Sequence, residues 1–424
     1  MHGNTKAWHA FEGCKEEITL IDHAKNAEIP QTSEDSRVST RRIWTTAWIV
    51  TAVFMLSNSA TPLYVQWQTA LGFTNGTLTL IFAAYIAGLL GSLLAAGQLS
   101  DRLGRKAVLY PGLLAAVAAC ALFALADSVG MLLAARLLTG IAVGVIVSAG
   151  MAAVVDSGGH GKKHLASLAA SVAMVLGAGL GPLLAGMMAQ FLAHPVVPVY
   201  SAQFIILATA FMAAARLPSR RNPAHEEWKL RFPSVPKHNR LHLALGISVF
   251  APGITSTSFV LSLGPPLLSK LLHVTSPLVA GGTACVMFLA ATGIQFVVKR
   301  LPVRSLFLLG VAVILLSMIC LVSAVMYSSP AFLVIAAVLA GAGQGLGQLG
   351  GLTLISLHVP EHRRAEANAV LNIGGYVPAA LLPIGTGFLI DRTSISLGAS
   401  LFAAIIAAVS VAGAIFVTVK FNKR

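Results

Sequence analysis

Acidic side chains are scarce in this sequence. It has 15 Asp and Glu among 424 residues, against 29 Lys and Arg. All charged residues together reach only 10%, where a soluble domain carries about 25%. That excludes an ordinary water-soluble globular domain. Seven of the 15 acids precede Trp44, and the others sit in loops or at the ends of apolar runs, so no carboxylate lies mid-run. Histidine is also missing from the middle of the runs: His194 and His273 fall at one set of ends, His242 and His358 at the other. The four cysteines (Cys14, Cys120, Cys285 and Cys320) are scattered and show neither metal-ligand spacing nor a disulfide framework. No nucleophile–base–orienter set, phosphate loop or metal cluster appears at usable spacing, so neither an enzyme nor a bound cofactor or metal is expected. Alternating polar and apolar strands, the barrel pattern, are absent too.

Apolar length is what the chain has. Hydrophobic residues make up 56%, and mean hydropathy is +0.80. Crossing a hydrocarbon layer about 30 Å thick takes about 20 helical residues. Twelve runs of that length are centred near residues 54, 88, 117, 142, 177, 207, 252, 287, 316, 344, 379 and 408. Backbone groups in lipid have to be satisfied within the segment, so the runs read as helices. The expected fold class is an all-α membrane protein with twelve transmembrane helices.

The net charge of +14 does not point to nucleic acid, because its placement follows topology. If the amino-terminal tail is cytoplasmic, 26 of the 29 basic residues fall on that side. Only Lys270 and Arg392 fall on the other, and Arg136 lies within a run. This positive-inside bias puts both termini in the cytoplasm. The first 43 residues are polar and contain no apolar stretch of signal-peptide type, so no cleavable signal is expected. The longest internal polar segment, Arg216 to Arg240, is basic and proline-rich and divides the runs six and six. The expected organisation is a cytoplasmic tail (1–43), a first six-helix half (44–217), a linker (218–240) and a second half (241–424).

Ten residues between the second and third runs carry the most specific signal: Gly97-Gln-Leu-Ser-Asp-Arg-Leu-Gly-Arg-Lys106. Glycine, three spacers, Asp-Arg, any residue, then Gly-Arg-Lys resembles the cytoplasmic signature of the major facilitator superfamily. The resemblance implies paired six-helix halves, each with inverted three-helix repeats, around a midplane substrate site; the superfamily is a standing example of that plan. In the family the signature latches the halves on the cytoplasmic face. Here Gly97, Asp101, Arg102, Gly104, Arg105 and Lys106, with Asp156 at the end of the fourth run, would form that latch, the dipole of the eleventh helix favouring the Asp101 carboxylate. A solvated turn that only anchors topology is the alternative. The matching turn of the second half, Lys299 to Arg304, keeps its basic residues but lacks the Asp and Gly.

Arg136, followed four residues on by Gly140, is similar to the family's fourth-helix motif. A lone arginine near the bilayer centre costs about 2.5–3.5 kcal/mol on insertion scales. It reads as a cavity residue for coupling or for an anionic group, or else as a side chain snorkelling to the outer interface. Gly177, Gly181, Pro182 and Gly186 resemble the fifth-helix signature of superfamily exporters, their glycines expected along one packing face. Gln344 and Gln348, four apart, are expected to face the cavity opposite Arg136, with Asn58, Tyr64, Tyr85 and Asn372 as further contacts. For any one of these, interhelical bonding is an equally simple role.

The resemblance implies a secondary transporter of the drug and metabolite exporter type, driven by protons, monomeric, in a bacterial inner membrane. Its partners would be a small-molecule substrate, protons and the lipid bilayer. Proton coupling lacks its usual membrane carboxylate, and Asp127, at the mouth between the third and fourth runs, is the nearest acid. A positive cavity without a counter-charge equally suits uptake or exchange of a small organic anion. A membrane sensor that has lost transport is a third possibility.

Overall fold

The computed structural model describes residues 40–159, 161–217, 239–298, 300–360 and 363–421, without the side chains of Leu94, Asp101, Ala365 and Phe421. The expected tail, up to residue 39, and most of the linker lie outside these residues. Among the described residues, twelve helices are long and apolar enough to cross a membrane. In the first half they are α1 (Thr40–Leu71), α2 (Asn75–Leu103), α3 (Arg105–Ala124), α4 (Val129–Asp156), α5 (Lys163–Phe191) and α6 (Val196–Ala215). In the second they are α7 (Arg240–Leu271), α8 (Pro277–Val298), α9 (Val303–Met326), α10 (Pro330–His358), α11 (Arg364–Arg392) and α12 (Ile395–Phe421). The first helix starts at Thr40 rather than at Trp44, so Arg41 and Arg42 belong to its exposed first turn. Likewise α7 begins at Arg240, inside the expected linker.

Local chemistry sets the ends. α1 is interrupted by a tighter 3₁₀ turn at Thr61–Leu63, where Pro62 cannot donate a backbone hydrogen bond. It stops at Gly72, whose φ of 67° is left-handed. The Thr74 side chain then caps α2 by accepting from the Thr77 amide at 3.3 Å. Gly104, at φ 88°, turns the chain directly from α2 into α3. Two helices contain a wide π-helical turn, α4 at Ile146–Gly150 and α7 at Leu267–Leu271.

Water drives little in lipid, so close backbone approach and van der Waals contact hold such helices together. In the first half Gly140 and Gly144 of α4 lie on the carbonyls of Tyr85 and Leu89 in α2. In the second half Gly341 and Gly345 of α10 lie on the carbonyls of Met287 and Ala291 in α8. The same four-residue step therefore joins corresponding helices in both halves. The internal repeat, faded in the second-half turn, survives in this packing. Between the halves, contacts run along α2–α11 and α5–α8.

Candidate functional site: a caged arginine and the seam between the halves

Gly140 presses α4 onto α2, and one helical turn earlier on that face stands Arg136. Its side chain is wholly buried. It therefore does not snorkel to an interface. The guanidinium carbon lies 5.1 Å from the centre of the Tyr64 ring, 5.8 Å from Phe82 and Phe123, and 6.0 Å from Tyr85. Nη1 donates to the Ser57 carbonyl at 2.6 Å, just before the break in α1. Nε and Nη2 find no hydrogen-bond partner among the described residues. Behind the cage, Phe123 stacks on Tyr200 at 4.9 Å and on Trp67 at 5.7 Å. Both amide atoms of Gln203 are buried without a hydrogen-bond partner among the described residues, while the Tyr64 hydroxyl lies beside the guanidinium and that of Tyr200 beside Ser59.

The electrostatics follow from this inventory. A guanidinium carries its charge permanently. Here aromatic faces and one carbonyl surround it, and among the described residues no carboxylate does. A desolvated cation–π contact is worth about 2 kcal/mol or more, so the rings offset part of the burial cost. The result is a fixed positive charge packed among rings, with unused donors on the guanidinium and on Gln203.

The other expected site residues fall in three places. Tyr85 and Tyr376, with Phe82 and Phe288, pack at the junction of both halves. Gln344, Gln348 and Asn372 are half-buried. Gln344 does not stand among the groups around Arg136, which all come from the first half; its backbone lies on Gly253 of α7 and its Oε1 is buried without a partner. The buried Asn58 donates to Ser57 Oγ at 3.0 Å, and Asn372 donates to the Asn368 carbonyl at 2.9 Å, so both amides serve their own helices. Asp127 is exposed in the α3–α4 turn.

On the face that carries the chain ends, Arg105 Nε pairs with Asp156 Oδ2 at 3.2 Å while Nη1 donates to Ser100 Oγ at 2.6 Å. The pair is exposed, 32% on the arginine side and 61% on the aspartate side, which keeps such a bridge at about 0–1 kcal/mol. Lys106 Nζ donates to the carbonyls of Ala215 and Leu217, at 2.7 and 3.0 Å, and so caps α6. Gly97 has open space beside it. Arg102 is half-buried, and the Asp101 side chain lies outside the described residues.

The opposite face holds a residue that sequence reasoning passed over. Asp391, at the end of α11, reaches the start of α2 in the other half. Its Oδ1 accepts from the Asn75 amide at 2.9 Å and from Asn75 Nδ2 at 3.0 Å, and its Oδ2 accepts from the Gly76 amide at 2.8 Å. Gly76 lets the Phe388 ring close in, and Gly387 lies on the Asn75 carbonyl. On the same face, where α5 meets the start of α8, Ser276 donates to Gln190 Oε1 at 2.6 Å. The signal was available, because Asp391 is a lone acid at a helix end facing a loop poor in other charges.

The fifth-helix motif also splits between two partners. Gly177 and Gly181 lie on Thr51 and Met55 of α1, whereas Gly186 lies on Pro277 and Gly281 of α8. The single packing face expected for the three is thus corrected. A four-residue step keeps one face, but the five-residue step to Gly186 turns it by about 140°. Gly281 in turn rests on the Pro182 carbonyl. The motif therefore joins α1 to α5 within the first half and α5 to α8 across the seam.

A family profile described as Major Facilitator Superfamily matches residues 46–322 and 245–424. The chain belongs to that superfamily. Among solved structures, it is similar to a mutant of the nucleoside transporter NupG, with 13% identity and a TM-score of 0.68, over 90% of this chain and 100% of that one. It is also similar to a bacterial homolog to human lysosomal transporter Spinster in an inward-facing and unoccupied conformation. That match has 13% identity and a TM-score of 0.63, over 90% of this chain and 95% of that one. At such identities the likeness establishes the superfamily fold. No curated protein sequence matches. The superfamily fold and the twelve apolar helices make this a multi-pass membrane transporter.

Proposed function

We propose that the chain exports a small drug-like or metabolite molecule in exchange for protons, the two halves rocking about a midplane site. The observation that carries this reading is the seam. Pro182, Gly186 and Gly281 meet backbone to backbone where α5 crosses α8, and Asp391 joins α11 to the start of α2 with three hydrogen bonds. Surfaces of this kind separate without pulling interdigitated side chains apart. The half-buried Tyr85, Gln344, Gln348 and Asn372 supply neutral polar groups for a substrate. With no mid-span carboxylate among the described residues, the charge of Arg136 and the acids at the helix mouths, Asp101 and Asp127, carry the coupling. The protein works as a monomer in a bacterial inner membrane with both termini cytoplasmic.

A second reading, transport of a small organic anion, is favoured by the caged guanidinium and its two unpartnered nitrogens. Flux into proteoliposomes under an imposed pH gradient separates the two. A panel of lipophilic cations and small organic anions is expected to show cation movement opposite to protons, reduced in Arg136→Ala. Flux indifferent to the pH gradient overturns proton exchange. Anion flux lost in the variant makes Arg136 a substrate ligand. Failure of the whole panel to show saturable flux points to a non-transporting sensor.

A further inference from the structure

We propose that the cavity between the start of α1 and the end of α6 is a headgroup site for an anionic phospholipid. The cavity measures about 220 Å³, below the roughly 300–1,000 Å³ of pockets for drug-sized ligands. Arg41, Arg42 and Arg216 line it together with Thr45, Thr46 and Leu217, and among the described residues no acidic residue does. Three guanidinium groups thus gather on one small space. None makes a side-chain hydrogen bond or ion pair among the described residues.

Helix capping does not use these charges. The carbonyl end of α6 is covered by Lys106, which donates to Ala215 and Leu217, so Arg216 is not needed as a helix cap. The Thr45 and Thr46 hydroxyls turn back to the Arg42 carbonyl at 3.0 and 2.9 Å, which leaves the arginines as the donors facing the space. Cations brought together without an anion repel one another. A phosphate placed among them relieves that repulsion and accepts the forked donors that arginine presents.

Two further features favour a lipid over a soluble phosphate. Trp44 and Trp48 stand four residues apart on the same turns of α1, 46% and 39% exposed. Exposed tryptophans at a helix end mark the headgroup level of a bilayer. Trp48 Nε1 also donates to Thr209 Oγ1 of α6 at 2.8 Å, so the indole bridges the two helices that form the cavity. The arginines then lie one turn beyond the tryptophans, where the phosphates of a leaflet lie. Basic pockets between helix ends at this depth suit anionic headgroups.

Native mass spectrometry of the detergent-purified full chain tests this, with phosphatidylglycerol, phosphatidylcholine and inorganic phosphate titrated separately and in competition. The wild type is expected to retain phosphatidylglycerol with a preference on the order of tenfold or more over phosphatidylcholine. The triple variant Arg41→Gln, Arg42→Gln, Arg216→Gln is expected to lose that preference. So is Thr45→Phe, which keeps every charge and fills the cavity. Equal retention of the two lipids in the wild type, or the preference surviving in either variant, overturns the proposal. Inorganic phosphate that binds alone and displaces phosphatidylglycerol also overturns it, since the site then belongs to a soluble ion.

Discussion

Asp391→Asn is expected to open the face opposite the termini. The first amides of α2 have no carbonyl four residues back within the helix to donate to. Asp391 takes those of Asn75 and Gly76, the Thr74 hydroxyl takes that of Thr77, and the regular ladder begins with the Leu78 amide on the Thr74 carbonyl. Of these three amides, two are met from the other half of the protein. An asparagine turns one acceptor into a donor aimed at amide hydrogens and removes the negative charge from a positive helix end. A hydrogen bond to a charged group contributes about 1.5–3 kcal/mol and the helix end about 0.3–1 kcal/mol. Asp391 is exposed, so water and salt reduce both, and a net loss of about 2 kcal/mol is the reasonable figure. That moves the equilibrium between closed and open by about 30-fold. Spin labels on the exposed Ser128 and Tyr327, one in each half, read the change as a longer distance population by pulsed electron resonance. An unchanged distance distribution would remove Asp391 from the gate.

The second large effect concerns Arg136, where two substitutions separate charge from volume. Four ring contacts at about 2 kcal/mol each, with one charge-assisted hydrogen bond of about 1.5–3 kcal/mol, favour the guanidinium in its cage. Against them stands a desolvation penalty of several kcal/mol or more for a buried ion. The two sides are of the same order. Arg136→Met, which keeps most of the volume and drops the charge, is therefore expected to stay within about 2 kcal/mol of the wild type in thermal unfolding. Arg136→Ala leaves a void among the packed rings and is expected to lose about 3–5 kcal/mol. Both are expected to lower transport at least ~100-fold, because an ionisable group held at such cost inside a bilayer marks function. A methionine variant that transports normally would reduce the arginine to a packing element.

These two residues show how far the sequence could be read. Arg136 was conspicuous as a lone charge in an apolar run, and the Gly97–Lys106 turn, read with the twelve runs, identified the superfamily. Burial of the guanidinium among Tyr64, Phe82, Tyr85 and Phe123 was not legible. Those rings come from three helices, and nothing in local periodicity says which faces of distant helices will meet. The same limit hid Trp67 and Tyr200, which stack only because α1 and α6 both flank α3. The glycines of α5 were visible as a motif. Their division between α1 and α8 depended on a five-residue step whose rotation matters only once two neighbours are in place. Asp391 is inconspicuous in the sequence because its partners are backbone amides that every helix start possesses. Asn58 and Asn372 were legible as polar groups within spans, but the bonds their amides make within their own helices were not. A polar residue in a span announces that it needs a partner without saying which.

The wide turn at Ile146–Gly150 gives α4 a property its neighbours in the first half lack. One residue more than the regular spiral requires is absorbed there, and the segments on either side keep the phase of an unbroken helix. Shortening the chain by one residue inside those five would leave Arg136 facing its rings and Asp156 facing Arg105. The same loss at any regular position of α4 would swing everything beyond it by about 100° and tear one of those contacts away. Residues 146–150 are therefore where α4 is expected to tolerate a change of length.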